Sequence, residues 1–342
     1  MLTPELNGKT IVITSASSGF GRGSAEKLAA EGANVVLAAR RTNLIEELVS
    51  EIETRGGKAL AVTTDLSSPE DITRLKDAAV ERFGKGDVWI NNVGIGALGF
   101  FWDIPIEDHA RVLDLNIMGL VYGAHAALGL FRAQGHGTLV NVGSIDSEVP
   151  LAYQASYAAS KAAVLSLSRS LNEELRLTKQ SDIKVATIMP WAVDTPWWTH
   201  AANYTGHEPR MMAMDDPQIV IDAIVRACVD PNARRHDSEG FDISHHLFPD
   251  LTERVSANIA DREVKKAWPA PGTTGSIYEP MAEGSGIGGG IRERMKQEDR
   301  DSANDRGPNT ENLRKPLGTS ACQKLLDGSS TKKRKYHHAS QS

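Results

Sequence analysis

Between residues 10 and 190 the chain alternates short apolar runs with helical patterns, and this alternation limits what it can fold into. The runs "TIVIT" (10–14), "NVVLAA" (34–39), "KALAVTTD" (58–65), "DVWINN" (87–92), "GTLVNVGS" (137–144) and "IKVATIMP" (183–190) read as strands. Helical periodicity fills the gaps at 23–32, 43–57, 68–84, 107–133 and 156–176. Ser68 and Pro69 form a cap and first-turn signal, and Gly32 and Gly57 stop two helices. The runs are nearly continuous in apolar residues rather than alternating with polar ones, so both faces of each strand must be covered. The expected fold is α/β, a doubly wound parallel sheet forming a single domain with an irregular C-terminal extension.

Beyond residue 190 the pattern loosens. Residues 191–216 are long for a connection and rich in Trp, Met and Pro, which suggests a lid over a binding site. A helix is expected at 217–229, and "RRHDSEGFDIS" (234–244) is a poor candidate for a further strand. The expected organisation is a sheet domain over 1–250, a partly helical extension over 251–284, and a largely disordered Gly-, Ser- and charge-rich tail over 285–342. The net charge of −6 gives no global attraction to nucleic acid or anionic membrane. No run is apolar for the length of a membrane span, and the first ten residues do not read as a signal peptide. Cys228 and Cys322 cannot make a disulfide framework, which suits a cytoplasmic location. The pairs His245–His246 and His337–His338 lack a metal-ligand constellation, so no metal is expected, and "KKRK" (332–335) reads as a solvated charge run.

Three local features carry chemistry. The first is "TSASSGFG" (14–21), a small-residue turn between the first strand and first helix. Such a turn offers backbone N–H groups and the positive end of a helix to a pyrophosphate. The candidates there are Thr14, Ser15, Ser17, Gly19, Phe20 and Gly21. The second is Arg40–Arg41 at the end of the second strand, where a carboxylate would hold a ribose hydroxyl and a guanidinium suits a 2′-phosphate. The third is "SYAASK", in which Tyr157 and Lys161 share a helix face. A nearby ammonium lowers a phenol's pKa and lets it exchange protons near neutrality, and Ser144 can bind the same substrate oxygen.

Together with "DL" (65–66), "NNVG" (91–94), Asn116 and "PWAVDT" (190–195), these features resemble the short-chain dehydrogenase/reductase family over roughly residues 6–230. The resemblance implies a Rossmann-type dinucleotide-binding catalytic domain. It also implies a catalytic tetrad of Asn116, Ser144, Tyr157 and Lys161. Tyr157 would be the acid/base, Ser144 would orient the substrate oxygen, Lys161 would lower the tyrosine pKa and bind the nicotinamide ribose, and Asn116 would hold a relay water. By the same resemblance Asp65 and Leu66 contact the adenine, Asn92 lies by the cofactor, and Val193 and Thr195 meet the carboxamide and phosphate region. The chain departs from the family pattern at Ser15 (usually Gly), Val93 (Ala) and Trp191 (Gly). The expected activity is NADP(H)-dependent interconversion of a secondary alcohol and a carbonyl on an apolar or bulky small molecule, by a homodimer or homotetramer. A non-catalytic cofactor-binding or regulatory protein on the same fold is the competing reading.

Overall fold

A computed structural model describes residues 5–230 and 249–304. Among these residues six parallel strands form one sheet in the order β3-β2-β1-β4-β6-β7. The strands are β1 (Thr10–Thr14), β2 (Asn34–Ala39), β3 (Lys58–Thr63), β4 (Val88–Asn91), β6 (Gly137–Val142) and β7 (Ile183–Ile188). A two-residue pair of β5 (Ala97–Leu98) and β8 (Ala202–Asn203) lies apart from it. The segment 234–244 lies outside the described residues.

Side-chain alternation divides the core. Ile11, Ile13, Val35 and Leu37 belong to one apolar cluster and Val12, Val36 and Trp89 to another, as period-2 geometry requires of a sheet buried on both faces. The first cluster packs under α1 (Gly19–Ala30), α2 (Thr42–Thr54) and α8 (Pro217–Val229). The second packs under α3 (Pro69–Phe83), α5 (Gly119–Gln134) and α6 (Ala155–Leu177). Helix α3 begins as its sequence requires: Ser68 Oγ accepts from Asp71 N at 3.1 Å, Pro69 follows, and Gly84 ends the helix at φ 80°.

Helix α4 (Ile106–Leu113) runs into α5 through a π-helical turn at Asp114–Met118, which carries Asn116. The combined helix, Ile106–Gln134, is long and apolar enough to cross a membrane by length and composition. In this fold its Leu120, Ala124, Ala127 and Phe131 side is buried within the second sheet cluster. Strand order reverses between β1 and β4, so a crevice opens beyond the carboxyl ends of these strands.

The C-terminal part differs from the expectation of a tail disordered from 285. Residues 285–290 are placed against the sheet unit, where Gly19 N donates to Gly286 O at 3.0 Å. Residues Ile291–Asn304 form helix α10, and Pro249–Lys266 form α9. The compact unit runs to Glu298; of a second unit, Asp299–Ser342, residues 299–304 are described and are helical. Residues 305–342, with the KKRK run, lie outside the described residues, as do both histidine pairs.

Two interactions explain the ordering. Trp198, Met214, Ala192 and Leu98 bury with Ile291 and Met295 in a third apolar cluster, with Trp191, Trp197 and Met211 packed against it. The aromatic and thioether groups expected to form a lid are therefore largely a second core, whereas Met212 is exposed. Beside this core the buried Arg210 pairs with Glu263 at 2.9 Å and Glu298 at 2.7 Å, and donates to Met295 O at 3.1 Å. Without the cation Glu263 keeps Lys266 at 2.8 Å and Glu298 keeps Arg294 at 3.4 Å, but both lose the one buried guanidinium that joins them. Arg210→Met is therefore expected to cost stability, by less than the roughly 3–5 kcal/mol of a fully unpaired buried charge, measured by urea unfolding, with Arg210→Lys recovering part of it.

Candidate active site

The crevice at the carboxyl ends of β1 and β4 brings together most residues singled out from the sequence. Ser15, Ser17, Gly19, Phe20, Arg40, Arg41, Asp65, Leu66, Asn92, Ser144, Tyr157, Lys161, Val193 and Thr195 all line one cleft. Thr14, Gly21 and Asn116 stand behind its wall. Thr14 Oγ1 donates to Ile90 O at 3.2 Å and accepts from Asn92 N at 2.9 Å, tying β1 to the end of β4. A Cβ on Gly21 would lie 2.3 Å from Ser15 O, so only glycine lets α1 start this close to the turn. Ser15 itself takes φ 52°, the left-handed conformation that glycine adopts without strain.

The catalytic candidates converge at the inner end. Lys161 is 2% exposed, and its Nζ donates to Val93 O at 3.0 Å and Val142 O at 2.9 Å. The Nζ lies 5.6 Å from the Tyr157 ring centroid. Asn116 accepts from Ile95 N and donates to Ile95 O and Ser160 Oγ, each at 2.9 Å. Both amide hydrogens are thus taken, and its side chain fixes the Ile95 backbone.

The electrostatics correct one expectation. Burial and the neighbouring Asp146 raise the Tyr157 pKa, and only a hydrogen bond with Ser144 opposes them. Burial also pulls Lys161 down to about 8, against the attraction of Asp146. Lys161 is not among the groups that oppose the rise at Tyr157. Asp146, which the sequence reading missed, is raised to about 7 by burial, partly offset by Lys161. Its sequence signal was available: it is an acidic residue on the turn that follows Ser144.

At the outer end the arginines meet the C-terminal segment. Arg40 donates to Ser276 O at 2.9 Å and to Tyr278 O, and Arg41 Nη1 donates to the carbonyls of Met281, Glu283 and Gly284, each at 3.3 Å. Arg41 also reaches Ser17 Oγ and Ser18 Oγ, at 3.0 and 2.8 Å. Desolvation lowers the pKa of both guanidiniums. This C-terminal segment, residues 276–290, forms a strap that is also anchored away from the arginines, where Tyr278 donates to Asp108 at 2.8 Å and Arg111 to Ile277 O at 3.0 Å. Farther on, Asp194 accepts from Ile291 N at 2.9 Å and Arg292 N at 3.2 Å, capping α10. Two of the strap's glycines are packing requirements: a Cβ on Gly289 would sit 2.4 Å from Thr195 O, and one on Gly284 would sit 2.5 Å from His200 Nε2.

The donor set fits a dinucleotide. Guanidiniums, serine hydroxyls and the start of α1 converge at one end of the cleft, and strap carbonyls already meet the donors of the first and last with oxygen. The other end holds the tyrosine, serine and lysine against an apolar wall that includes Trp191 and Met211.

Comparison with known proteins agrees with this geometry. A family profile described as short chain dehydrogenase matches residues 9–204. The uncharacterized oxidoreductase YxnA of Bacillus subtilis is 34% identical over 262 residues, covering 75% of this chain and 73% of the relative. The 3beta-hydroxysteroid dehydrogenase 1 of Eggerthella lenta is 38% identical over 194 residues, covering 56% and 73%. Among solved structures, a short chain dehydrogenase/reductase from Burkholderia phymatum in complex with NAD superposes with TM-score 0.64 at 26% identity, covering 75% of this chain and 97% of that one.

The Asp146 carboxyl makes stability depend on pH. It titrates near 3.8 when unfolded and near 7 when folded, so between those values the folded chain holds a proton that the unfolded chain has lost. Its contribution to stability therefore falls as pH rises through this window, and the penalty is complete above about 7. Asp146→Asn removes the penalty. The melting temperature of the variant minus that of the wild type should grow from pH 4 to pH 7 and then level off. A constant difference would contradict the assignment.

Proposed function

The chain belongs to the short-chain dehydrogenase family and is an oxidoreductase of that family; from this premise we propose that it interconverts a secondary alcohol and a carbonyl with NADP(H), on an apolar or bulky small molecule. The observation that carries the proposal is the convergence of Ser144, Tyr157 and Lys161 at one end of a cleft whose other end presents Arg40, Arg41 and the start of α1. When bound, the nicotinamide supplies or accepts the hydride. Ser144 holds the substrate oxygen, and Tyr157 exchanges a proton with that oxygen through its hydroxyl. Lys161 keeps the ends of β4 and β6 in place around the reacting atoms and has one proton left for a ribose hydroxyl. Asn116 holds the Ile95 backbone at the cleft wall. The apolar lining that includes Trp191, Trp198 and Met211 supports a substrate with an apolar body, and so does the similarity to a steroid dehydrogenase.

The 2′-phosphate preference rests on Arg40 and Arg41 and on the absence of a carboxylate at the end of β2. Solved relatives include complexes with NAD and with NADP, so the family leaves the cofactor open, and Arg40 and Arg41 support NADP(H). A homo-oligomer and a cytoplasmic location complete the proposal.

Two substitutions test the reading. Tyr157→Phe should lower kcat by about 10²- to 10⁴-fold while cofactor binding, followed by nicotinamide fluorescence, is retained. Arg40→Ala should weaken NADPH by about 1.5–3 kcal/mol and leave NADH nearly unchanged. Equal losses for the two cofactors would assign the guanidinium to the strap alone.

A further inference from the structure

The inner pocket contains two polar atoms that the protein leaves unmet. Asp146 is 4% exposed and lines the same cavity as Tyr157, yet its Oδ1 has no hydrogen-bond partner among the described residues. Trp197 also lines this cavity, with its ring centroid 4.9 Å from that of Tyr157, and its Nε1 is buried without a partner among the described residues. One atom is an acceptor and the other a donor. Native proteins rarely leave such atoms unsatisfied, because each forfeits a hydrogen bond it had in water. A wholly apolar ligand would seal both in and make the cost permanent.

Asp146 is rigidly placed. It sits on the 3-10 turn Ile145–Ser147 directly after Ser144, and its backbone N donates to Ser144 Oγ at 3.2 Å. A substrate oxygen held by Ser144 and Tyr157 therefore shares its cavity with the Asp146 carboxyl, which acts electrostatically on Tyr157. Asp146 Oδ1 lacks a donor and Trp197 Nε1 lacks an acceptor among the described residues. A hydroxyl can serve either atom, an ammonium cannot accept, and a carboxylate cannot donate. A second cation would also face the buried ammonium of Lys161.

Building on the proposed alcohol–carbonyl chemistry, we propose that Asp146 is a specificity-determining residue, which with Trp197 selects substrates carrying a hydroxyl next to the reacting carbon: α-hydroxyketones in one direction and vicinal diols in the other. The apolar remainder of the pocket takes the rest of the molecule. The raised pKa of Asp146 fits this role, since a neutral carboxyl and a hydroxyl can exchange donor and acceptor roles.

The test uses matched ketones that differ by one hydroxyl: 2-hydroxycyclohexanone against cyclohexanone, and benzoin against deoxybenzoin. With the full chain and NADPH, kcat/KM should favour the hydroxylated member by about tenfold or more. In Asp146→Ala this ratio should fall to about one. Asp146→Asn, which keeps an acceptor oxygen, should retain part of it, and Trp197→Phe should reduce it. A residue that only supports the fold would lower both members equally and leave the ratio unchanged, which would overturn the proposal. A wild-type ratio near one would also overturn it. Binding of the same four ketones, followed by tryptophan fluorescence, gives a readout without turnover. If no ketone is reduced but the hydroxylated ones bind more tightly in an Asp146-dependent way, the redox reading fails and the selectivity stands. If ketones are reduced without preference, the redox reading stands and the selectivity fails.

Discussion

A buried ammonium organises the catalytic end of this molecule. Lys161 enters the sheet's carboxyl edge from α6 and donates to carbonyls just beyond β4 and at the end of β6. Burying a cation is expensive, and the expense is contained only because those two carbonyls point at it. The ends of two central strands and the start of one helix are consequently fixed to each other through one side chain. Tyr157, one helical turn earlier, inherits its position from that arrangement. Asp146 acts on both neighbours: it raises the Tyr157 pKa and opposes the fall of the Lys161 pKa.

The second organising element is made by residues far from the sheet in sequence. The Trp- and Met-rich connection after β7 does not float over the cleft; it buries against Ile291 and Met295 of α10. Arg210 reinforces the junction from inside, and Asp194 closes it by capping that helix. The wall of the substrate pocket thus belongs to a small core of its own. Its stability rests partly on a buried charge network, while the sheet is held by apolar packing on two faces.

What could be read from the sequence followed from how local each signal is. The strands were legible because burial on both faces leaves an apolar run, and Ser68, Pro69 and Gly84 mark the ends of α3 within a few residues. Tyr157 and Lys161 were legible because a helix puts them on one face. The strap was not. Glycine-rich composition reads as flexibility, and nothing local shows that Gly284 and Gly289 are required by close approach to His200 and Thr195. Asp146, which raises the Tyr157 pKa, is hidden for a similar reason: the lysine is visible at helical spacing, whereas Asp146 enters the pocket from a separate turn. The arginines were correctly placed at the cleft, but their carbonyl partners sit more than two hundred residues away.

The position of the strap in the chain sets an order in time. Among the described residues every strand of the main sheet lies before residue 189, and the roof over the outer end of the cleft is built from residues 276–290. At ordinary rates of synthesis, roughly 5–20 s separate the emergence of the last strand from that of the strap. During this interval a nascent chain can form its sheet and α1 while Arg40 and Arg41 still face water. The cleft thus has an open stage in every molecule's history, before the residues that roof it exist.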